Sequence, residues 1–205
     1  MNAHSILLPL VGLTFAATAL PAFADAEYRA KATSIIKRDF EPRGQAGIER
    51  VAEDGVQAIC NRTGNKPPEY LAKQMEADQL ATVKLPADGR LMGDWKEGEK
   101  IAQSGRGFTW TDQAGTPGGG NCYNCHQINP KESSFGIIGP SLYQFGKMRG
   151  NTPDVQKYVY SKIWNAKGFS LCSQMPRFGH VGALNIEQVR HLVALLLDPE
   201  SPVNK

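Results

Sequence analysis

Cys122-Tyr123-Asn124-Cys125-His126 is the pentapeptide from which the organisation of the whole chain follows. Two cysteines separated by two residues and followed directly by a histidine are typical of c-type haem attachment. At this spacing the two thiols reach the two vinyl groups on one edge of the porphyrin, and the imidazole of the next residue supplies an iron ligand. The pentapeptide occurs once, so we expect one covalently bound haem c with His126 as the first axial ligand.

Two other uses of a Cys-x-x-Cys pair fit this sequence less well. A structural zinc site would need a second Cys/His pair at similar spacing, and the sequence contains none. A thioredoxin-like redox pair would need a βαβ context, whereas this pair lies between a Gly-rich loop and a helix. Haem attachment is therefore the interpretation that we adopt.

The second axial ligand must come from elsewhere in the chain, and we favour Met175. It lies in Gln174-Met175-Pro176, where the proline holds the residue before it in an extended conformation. His180 and Met148 remain alternatives. A thioether opposite His126 raises the reduction potential relative to two histidines and favours electron transfer over oxygen chemistry. We also expect a backbone carbonyl of residues 139–142 to accept the imidazole N–H, which would fix the ring's orientation.

Two further cysteines, Cys60 and Cys172, are candidates for a disulfide. In an oxidising compartment two spare thiols are more often paired than free. Such a bond would tie the amino-terminal part of the chain to the segment that carries Met175. An intermolecular disulfide to a partner subunit and two free thiols are the alternatives that the sequence leaves open.

Hydrophobic periodicity predicts an all-α chain with a cytochrome c-like, haem-wrapping helical domain at residues 93–205. The predicted helices of this domain span Asp94 to Gln103 and Thr152 to Trp164, and a third begins with the capping sequence Asn185-Ile186-Glu187-Gln188. Residues 25–92 form an amino-terminal helical extension, with predicted helices at 26–40, 45–60 and 68–83. His191 lies among apolar neighbours in the last helix and is expected to be structural.

The first 24 residues are typical of a secretory signal peptide. They contain no Lys, Arg, Asp or Glu, and an apolar stretch from Ile6 to Leu20 is followed by Ala22-Phe23-Ala24. This A-x-A pattern predicts cleavage before Asp25. A membrane anchor is the alternative, but the apolar stretch is shorter than the ~20 residues of a span and contains Pro9. We expect an exported, periplasmic chain without a membrane span after cleavage.

The composition fits a folded globular protein and argues against nucleic-acid binding. Hydrophobic residues make up 41% of the 205 residues, and 23 Lys and Arg oppose 20 Asp and Glu, for a formal charge of +3. No run of basic residues accompanies this small excess. Between residues 147 and 177, however, six basic side chains oppose one acidic one, which suggests a docking patch for an acidic redox partner. They are Lys147, Arg149, Lys157, Lys162, Lys167 and Arg177.

Three stretches together resemble SoxX, the small monohaem subunit family of the SoxAX cytochrome complexes. These are the haem motif with its preceding Gly105-Arg106-Gly107-Phe108-Thr109, the segment Gln174-Met175-Pro176-Arg177-Phe178-Gly179, and the tail Asp198-Pro199-Glu200-Ser201-Pro202-Val203-Asn204. The resemblance covers residues 93–205. It implies a periplasmic heterodimer with SoxA that takes part in thiosulfate oxidation.

In that family the complex couples thiosulfate oxidatively to a cysteine of the SoxYZ carrier, an L-cysteine S-thiosulfotransferase reaction that releases two electrons. The bond-making is assigned to the SoxA haem. The resemblance thus implies an electron-transfer subunit that takes electrons from SoxA and passes them to a small cytochrome. We find no nucleophile or acid–base pair beside the haem ligands, so no catalytic residue is expected on this chain. An independent periplasmic cytochrome of a respiratory chain and a haem enzyme such as a peroxidase are the alternatives.

Overall fold

The structure is a computed structural model that describes residues 20–205, with the side chains of residues 26–205. The described residues form helices and irregular segments but no β-strand. Arg43 and Ala46 form an isolated β-bridge. The prediction of an all-α chain is therefore confirmed for this range. The α-helices are α1 (Leu20–Asp39), α2 (Gly55–Arg62), α3 (Glu69–Ala81), α4 (Trp95–Gln103), α5 (Phe145–Arg149), α6 (Pro153–Trp164) and α7 (Ile186–Leu197). Short 3₁₀ turns lie at Ile48–Val51, Cys122–Asn124, Ala166–Gly168 and Pro202–Asn204.

The described residues divide after residue 41 into two units, residues 20–41 and residues 42–205. Helix α1 belongs to the first unit, and the side chains from residue 26 onward on it are almost all exposed. Most of the predicted signal peptide, residues 1–19, lies outside the described residues. Residues 42–92 share one compact unit with residues 93–205. Among the described helices, none combines the length and the apolar character needed to cross a membrane.

The predicted helix at 45–60 is wrong in its first part. The structure has a 3₁₀ turn at Ile48–Val51, an extended Ala52, and a helix that begins only at Gly55. Asp54 sets this start, because its side chain accepts the backbone N–H of Gln57 while the Gln57 side chain accepts the N–H of Asp54. This reciprocal capping box satisfies two N–H groups that a longer helix would have bonded internally.

The main core lies where α4 and α6 pack on α7. These three helices occupy the ranges predicted from periodicity, and Asn185 and Gln188 form the predicted capping box of α7. The backbones of α4 and α7 approach closely, since a Cβ on Gly98 would lie 2.1 Å from the His191 carbonyl oxygen. The His191 imidazole accepts the backbone N–H of Asp94 at 2.8 Å, which confirms its structural role.

A second, smaller core joins the region before residue 93 to the segment that leads to Met175. Val56, Cys60 and Leu171 are its buried members. The fully buried Asn165 donates to the side-chain oxygens of Gln79 and Thr82 at 3.1 and 3.0 Å, at the end of α3. Residues 54–83 are therefore attached to residues 165–177 by apolar packing and by buried hydrogen bonds.

Candidate functional site

The pentapeptide at 122–126 forms a tight turn, in which the backbone N–H of His126 reaches the carbonyl of Cys122. Asn121, in the left-handed region at φ 46°, starts the 3₁₀ turn. The N–H groups of Cys125 and His126 both donate to the Cys122 carbonyl, at 3.1 and 2.9 Å. Cys122 and Cys125 are both free thiols, so neither is consumed in a disulfide. Both sulfur atoms are thus available on one short turn.

The thiol of Cys122 lies in an apolar environment. Burial, reinforced by the neighbouring Cys125, raises the pKa of Cys122 to about 12. A Cβ on Gly120 would lie only 2.8 Å from the Cys122 sulfur, so glycine leaves the space that the thiol occupies. Cys122 is partly buried and packs against the main core. The neutral thiol is therefore the favoured form of Cys122.

The His126 ring is held by the loop that follows the pentapeptide. Its Nδ1 lies 2.7 Å from the carbonyl oxygen of Pro140, within the range 139–142 where such a contact is predicted. A carbonyl can only accept, so Nδ1 carries the proton and the lone pair of the neutral ring is on Nε2. That arrangement leaves Nε2 as the nitrogen available to a metal.

Gly139 lets the loop lie directly against this ring. Its N–H donates to the Cys125 carbonyl at 2.8 Å, and a Cβ at this position would lie 2.2 Å from Cε1 of His126. Gly136 similarly donates to the Tyr123 carbonyl at 2.7 Å. Backbone hydrogen bonds therefore join the loop at 136–140 to the pentapeptide, and a backbone carbonyl sets the orientation of the imidazole.

Replacing Gly139 with alanine should displace the His126 ring. The added methyl meets ring atoms that the Pro140 carbonyl holds in place, so we expect a loss of about 1–3 kcal/mol in the free energy of unfolding, as for other overpacked sites. Denaturant unfolding measures the loss, and ¹⁵N chemical shifts of the imidazole report its hydrogen bond. Gly55→Ala is the matched control, because a Cβ there meets no atom within 4 Å. Equal stability of the two variants would contradict the prediction.

Met175 packs against the same apolar cluster as Cys122. It is partly buried on the main core, whereas Met148 is 65% exposed on α5. His180, the other alternative, has its Nδ1 3.1 Å from the Thr82 hydroxyl. Met92 also packs on the main core, and nothing in the sequence pointed to it. Of the candidates proposed from the sequence, Met175 is the one whose side chain packs on the main core.

Buried polar atoms without a partner lie in this same core. The Trp164 indole N–H and the Tyr123 hydroxyl are buried and have no hydrogen-bond partner among the described residues. Gly179 packs directly on the indole, with a built Cβ 2.2 Å from Trp164 Cδ2. The unpaired Trp164 N–H matches a ligand that carries carboxylates, whereas the Tyr123 hydroxyl lies near the carboxylates of Glu99 and Glu132. The two thiols and the imidazole on the turn, with this N–H in the main core, are of the chemical type that a haem c requires.

The segment around Met175 is tied to α2 on both sides. Three residues before Met175, Cys172 forms a disulfide with Cys60, the pairing favoured from the sequence. Two residues after it, the Arg177 guanidinium pairs with the Asp54 carboxylate. The Arg177 side chain is only 12% exposed. Nothing in the sequence pointed to this ion pair, because its partners are 123 residues apart and neither belongs to a recognisable motif.

The proposed basic patch is reduced by these contacts. Arg177 is engaged with Asp54, the Lys167 ammonium donates to the Leu171 carbonyl at 3.3 Å, and the Lys162 ammonium lies 5.3 Å from the centre of the Phe169 ring. Burial is also the main cause that lowers the pKa of both lysines. Arg177 is therefore not available to such a patch, and docking through the remaining basic residues stays a prediction.

The Asp54 carboxylate should make stability depend on pH in the acid range. Burial alone would raise its pKa, but the hydrogen bonds from the Gln57 N–H and from Arg177 outweigh burial and hold the pKa below its usual 3.8. A depressed pKa contributes stability that is complete above the unfolded pKa and is lost as pH falls through the folded value. The stability difference between wild type and Asp54→Asn should be constant above about pH 5 and shrink below it. Chemical unfolding at a series of pH values tests this, and a difference that does not change with pH would contradict it.

No protein-family model matches the chain. A similar protein is an uncharacterized lipoprotein of Aquifex aeolicus (strain VF5), with 39% identical residues over 158 residues. The match covers 75% of this chain and 74% of the lipoprotein. Identity at this level over three quarters of both chains reflects a relationship across most of the fold rather than one shared motif.

Proposed function

This chain belongs to the same family as the Aquifex aeolicus lipoprotein, and from that premise and the geometry of the site we propose that it is an exported, monohaem c-type cytochrome. The observation that carries the proposal is the turn at 122–126. It presents two free thiols and an imidazole whose Nδ1 is held by the Pro140 carbonyl. A lipoprotein relative supports export, and the sequence pattern of residues 1–24 supports the periplasm.

The residues of this chain have distinct roles in the proposed site. The Cys122 and Cys125 thiols would each add across a vinyl group, forming a C–S bond while the thiol hydrogen passes to the other vinyl carbon. His126 would bind iron through Nε2 and Met175 through its sulfur. A haem c bound in this way supplies a one-electron ferric/ferrous couple. The apolar core around Cys122 and Met175 would keep water from the metal.

We further propose that the chain is the electron-transfer subunit of a SoxAX complex. The support is the resemblance of residues 93–205, including the Met175 segment and the tail at 198–204. In this role the chain would take electrons from the SoxA haem while thiosulfate is joined to a SoxYZ cysteine, and would pass them to a small cytochrome. It would contribute no bond-making residue to the L-cysteine S-thiosulfotransferase reaction.

Export of the chain in a host that matures c-type cytochromes tests the first proposal. Intact mass should show the polypeptide plus one haem, and the haem should remain bound after denaturation. A bare polypeptide would overturn the proposal.

The SoxAX role is tested separately by mixing the haem-loaded chain with a SoxA protein. Co-elution and thiosulfate-dependent haem reduction that requires SoxA support that role, whereas a haem protein that elutes alone supports an independent carrier.

Met175→Ala should remove the sulfur ligand without removing the haem. We expect the loss of the methionine-to-iron charge-transfer absorption and a fall in reduction potential of at least about 0.1 V, well within the ~0.8 V range set by axial ligands. Optical spectra and a redox titration measure both. Met148→Ala is the matched control, since that side chain is exposed. An unchanged spectrum in Met175→Ala would show that another group ligates the iron.

A further inference from the structure

We propose that α2 is a clamp that sets how firmly Met175 is held against the metal, and that Asp54 and Arg177 are positioning residues for this ligand. The inference rests on the proposed haem site. It assigns a role to the region before residue 93, which the resemblance to SoxX does not cover.

The clamp has two links, and they lie on opposite sides of the ligand. The disulfide joins Cys172, three residues before Met175, to Cys60 near the end of α2. The ion pair joins Arg177, two residues after Met175, to Asp54 at the start of α2. One short helix therefore fixes both ends of a six-residue segment with the ligand inside it.

Direct packing on α2 is concentrated at the disulfide end of the segment, where Leu171 and Cys172 join the small core around Val56. A cavity of about 370 Å³ lies between α2 and the ligand segment, lined by Gln57 and Asn61 on one side and by Gln174 and Met175 on the other. A loop that borders such a space has few van der Waals contacts to oppose its movement toward α2. Met175 itself packs on the main core. Toward α2 its segment is held by the disulfide and the ion pair, which bridge this space.

Asp54 is suited to this role because α2 holds its carboxylate rigidly. One carboxylate oxygen caps the helix by accepting the Gln57 N–H, and the other faces Arg177. Arg177 also donates to Gln79 of α3 at 3.4 Å, which directs the guanidinium. The Arg177 side chain is only 12% exposed and the Asp54 side chain 38% exposed, so the pair is screened less than one between two fully exposed side chains.

The Asp54→Asn variant separates the clamp from the helix cap. Asparagine caps helices as well as aspartate does, so α2 keeps its start. The charge that holds Arg177 is lost. In the haem-loaded ferric protein, imidazole binds only after the Met175 sulfur leaves. We therefore expect imidazole to bind about tenfold faster in Asp54→Asn than in wild type, since a hydrogen bond to a charged group has been removed.

Glu187→Gln is the matched control for this variant. It removes a carboxylate 2.7 Å from Arg190, a side chain that is 9% exposed, within α7 rather than beside Met175. It should leave the imidazole rate unchanged even if global stability falls. Arg177→Gln should accelerate binding as Asp54→Asn does, and the double variant should add little, because both changes break one interaction.

Three outcomes would overturn the clamp: a wild-type imidazole rate in Asp54→Asn, an equal acceleration in Glu187→Gln, or additive effects in the double variant. The wild-type spectrum distinguishes this failure from failure of the proposed function. If the methionine-to-iron absorption is present and the variants behave as controls, only the clamp is wrong. If intact mass shows no haem, the proposed function is wrong and the clamp falls with it.

Discussion

A chain with serine at both 122 and 125 should be exported without covalent haem. The hydroxyl group does not form the thioether that a thiol forms with a vinyl group, and no other cysteine lies on the 122–126 turn. We expect the haem content after acid–acetone extraction to fall from one per chain to none. Each single variant, Cys122→Ser or Cys125→Ser, retains one thioether and should keep a fraction of the haem.

A Cys60→Ser, Cys172→Ser double variant is the matched control for this experiment. It removes the same number of thiols but leaves the pentapeptide intact, so it should retain its haem. Intact mass and haem staining of denaturing gels measure both proteins side by side. Haem that stays attached to the chain with serine at 122 and 125 would show that attachment does not occur at this turn.

Loss of the Cys60–Cys172 disulfide should produce the largest change in stability. The bond closes a loop with a sequence separation of 112 residues. In the chain-entropy description, a loop of this length contributes roughly 4–5 kcal/mol by limiting the unfolded ensemble. The Cys60→Ser, Cys172→Ser variant should therefore lose a large share of the 5–15 kcal/mol typical of a folded domain.

Denaturant unfolding of the oxidised wild type and of the double-serine variant measures this loss. Wild type treated with a reductant should unfold like the variant, which separates the effect of the bond from the effect of the serine hydroxyls. An additional test uses Met75, which packs on the same small core. Met75→Leu conserves volume and should cost less than about 1.5 kcal/mol. A double-serine variant as stable as Met75→Leu would contradict the prediction.

Much of the helical framework was predictable because its signals are local. Helix α7 begins where Asn185 and Gln188 cap it, and α6 begins with Pro153 at its first turn. Periodicity over a few turns was enough to place both. The contact of His126 with the Pro140 carbonyl was also predictable, since it spans only 14 residues and a proposed imidazole ligand needs a partner that orients it.

The contacts that hold Met175 were predicted only where covalent chemistry limits the choices. Two spare cysteines in an exported chain suggest one bond. Arg177, by contrast, resembled an ordinary surface cation, and its partner Asp54 lies in a stretch where periodicity indicated an uninterrupted helix. An ion pair across 123 residues leaves no local pattern, because either partner could satisfy its charge with water.

The close approach of α4 and α7 has a consequence for the order of events during synthesis. Gly93 and Gly98 leave no room for a Cβ against residues 190 and 191. Helix α4 therefore packs on α7, which is one of the last segments of the chain to be synthesised. Pairings between sequence-distant parts form late. Residues 122–126 would therefore be exposed before the core closes, and, in the proposed cytochrome, both thiols would be reachable for haem attachment during that interval.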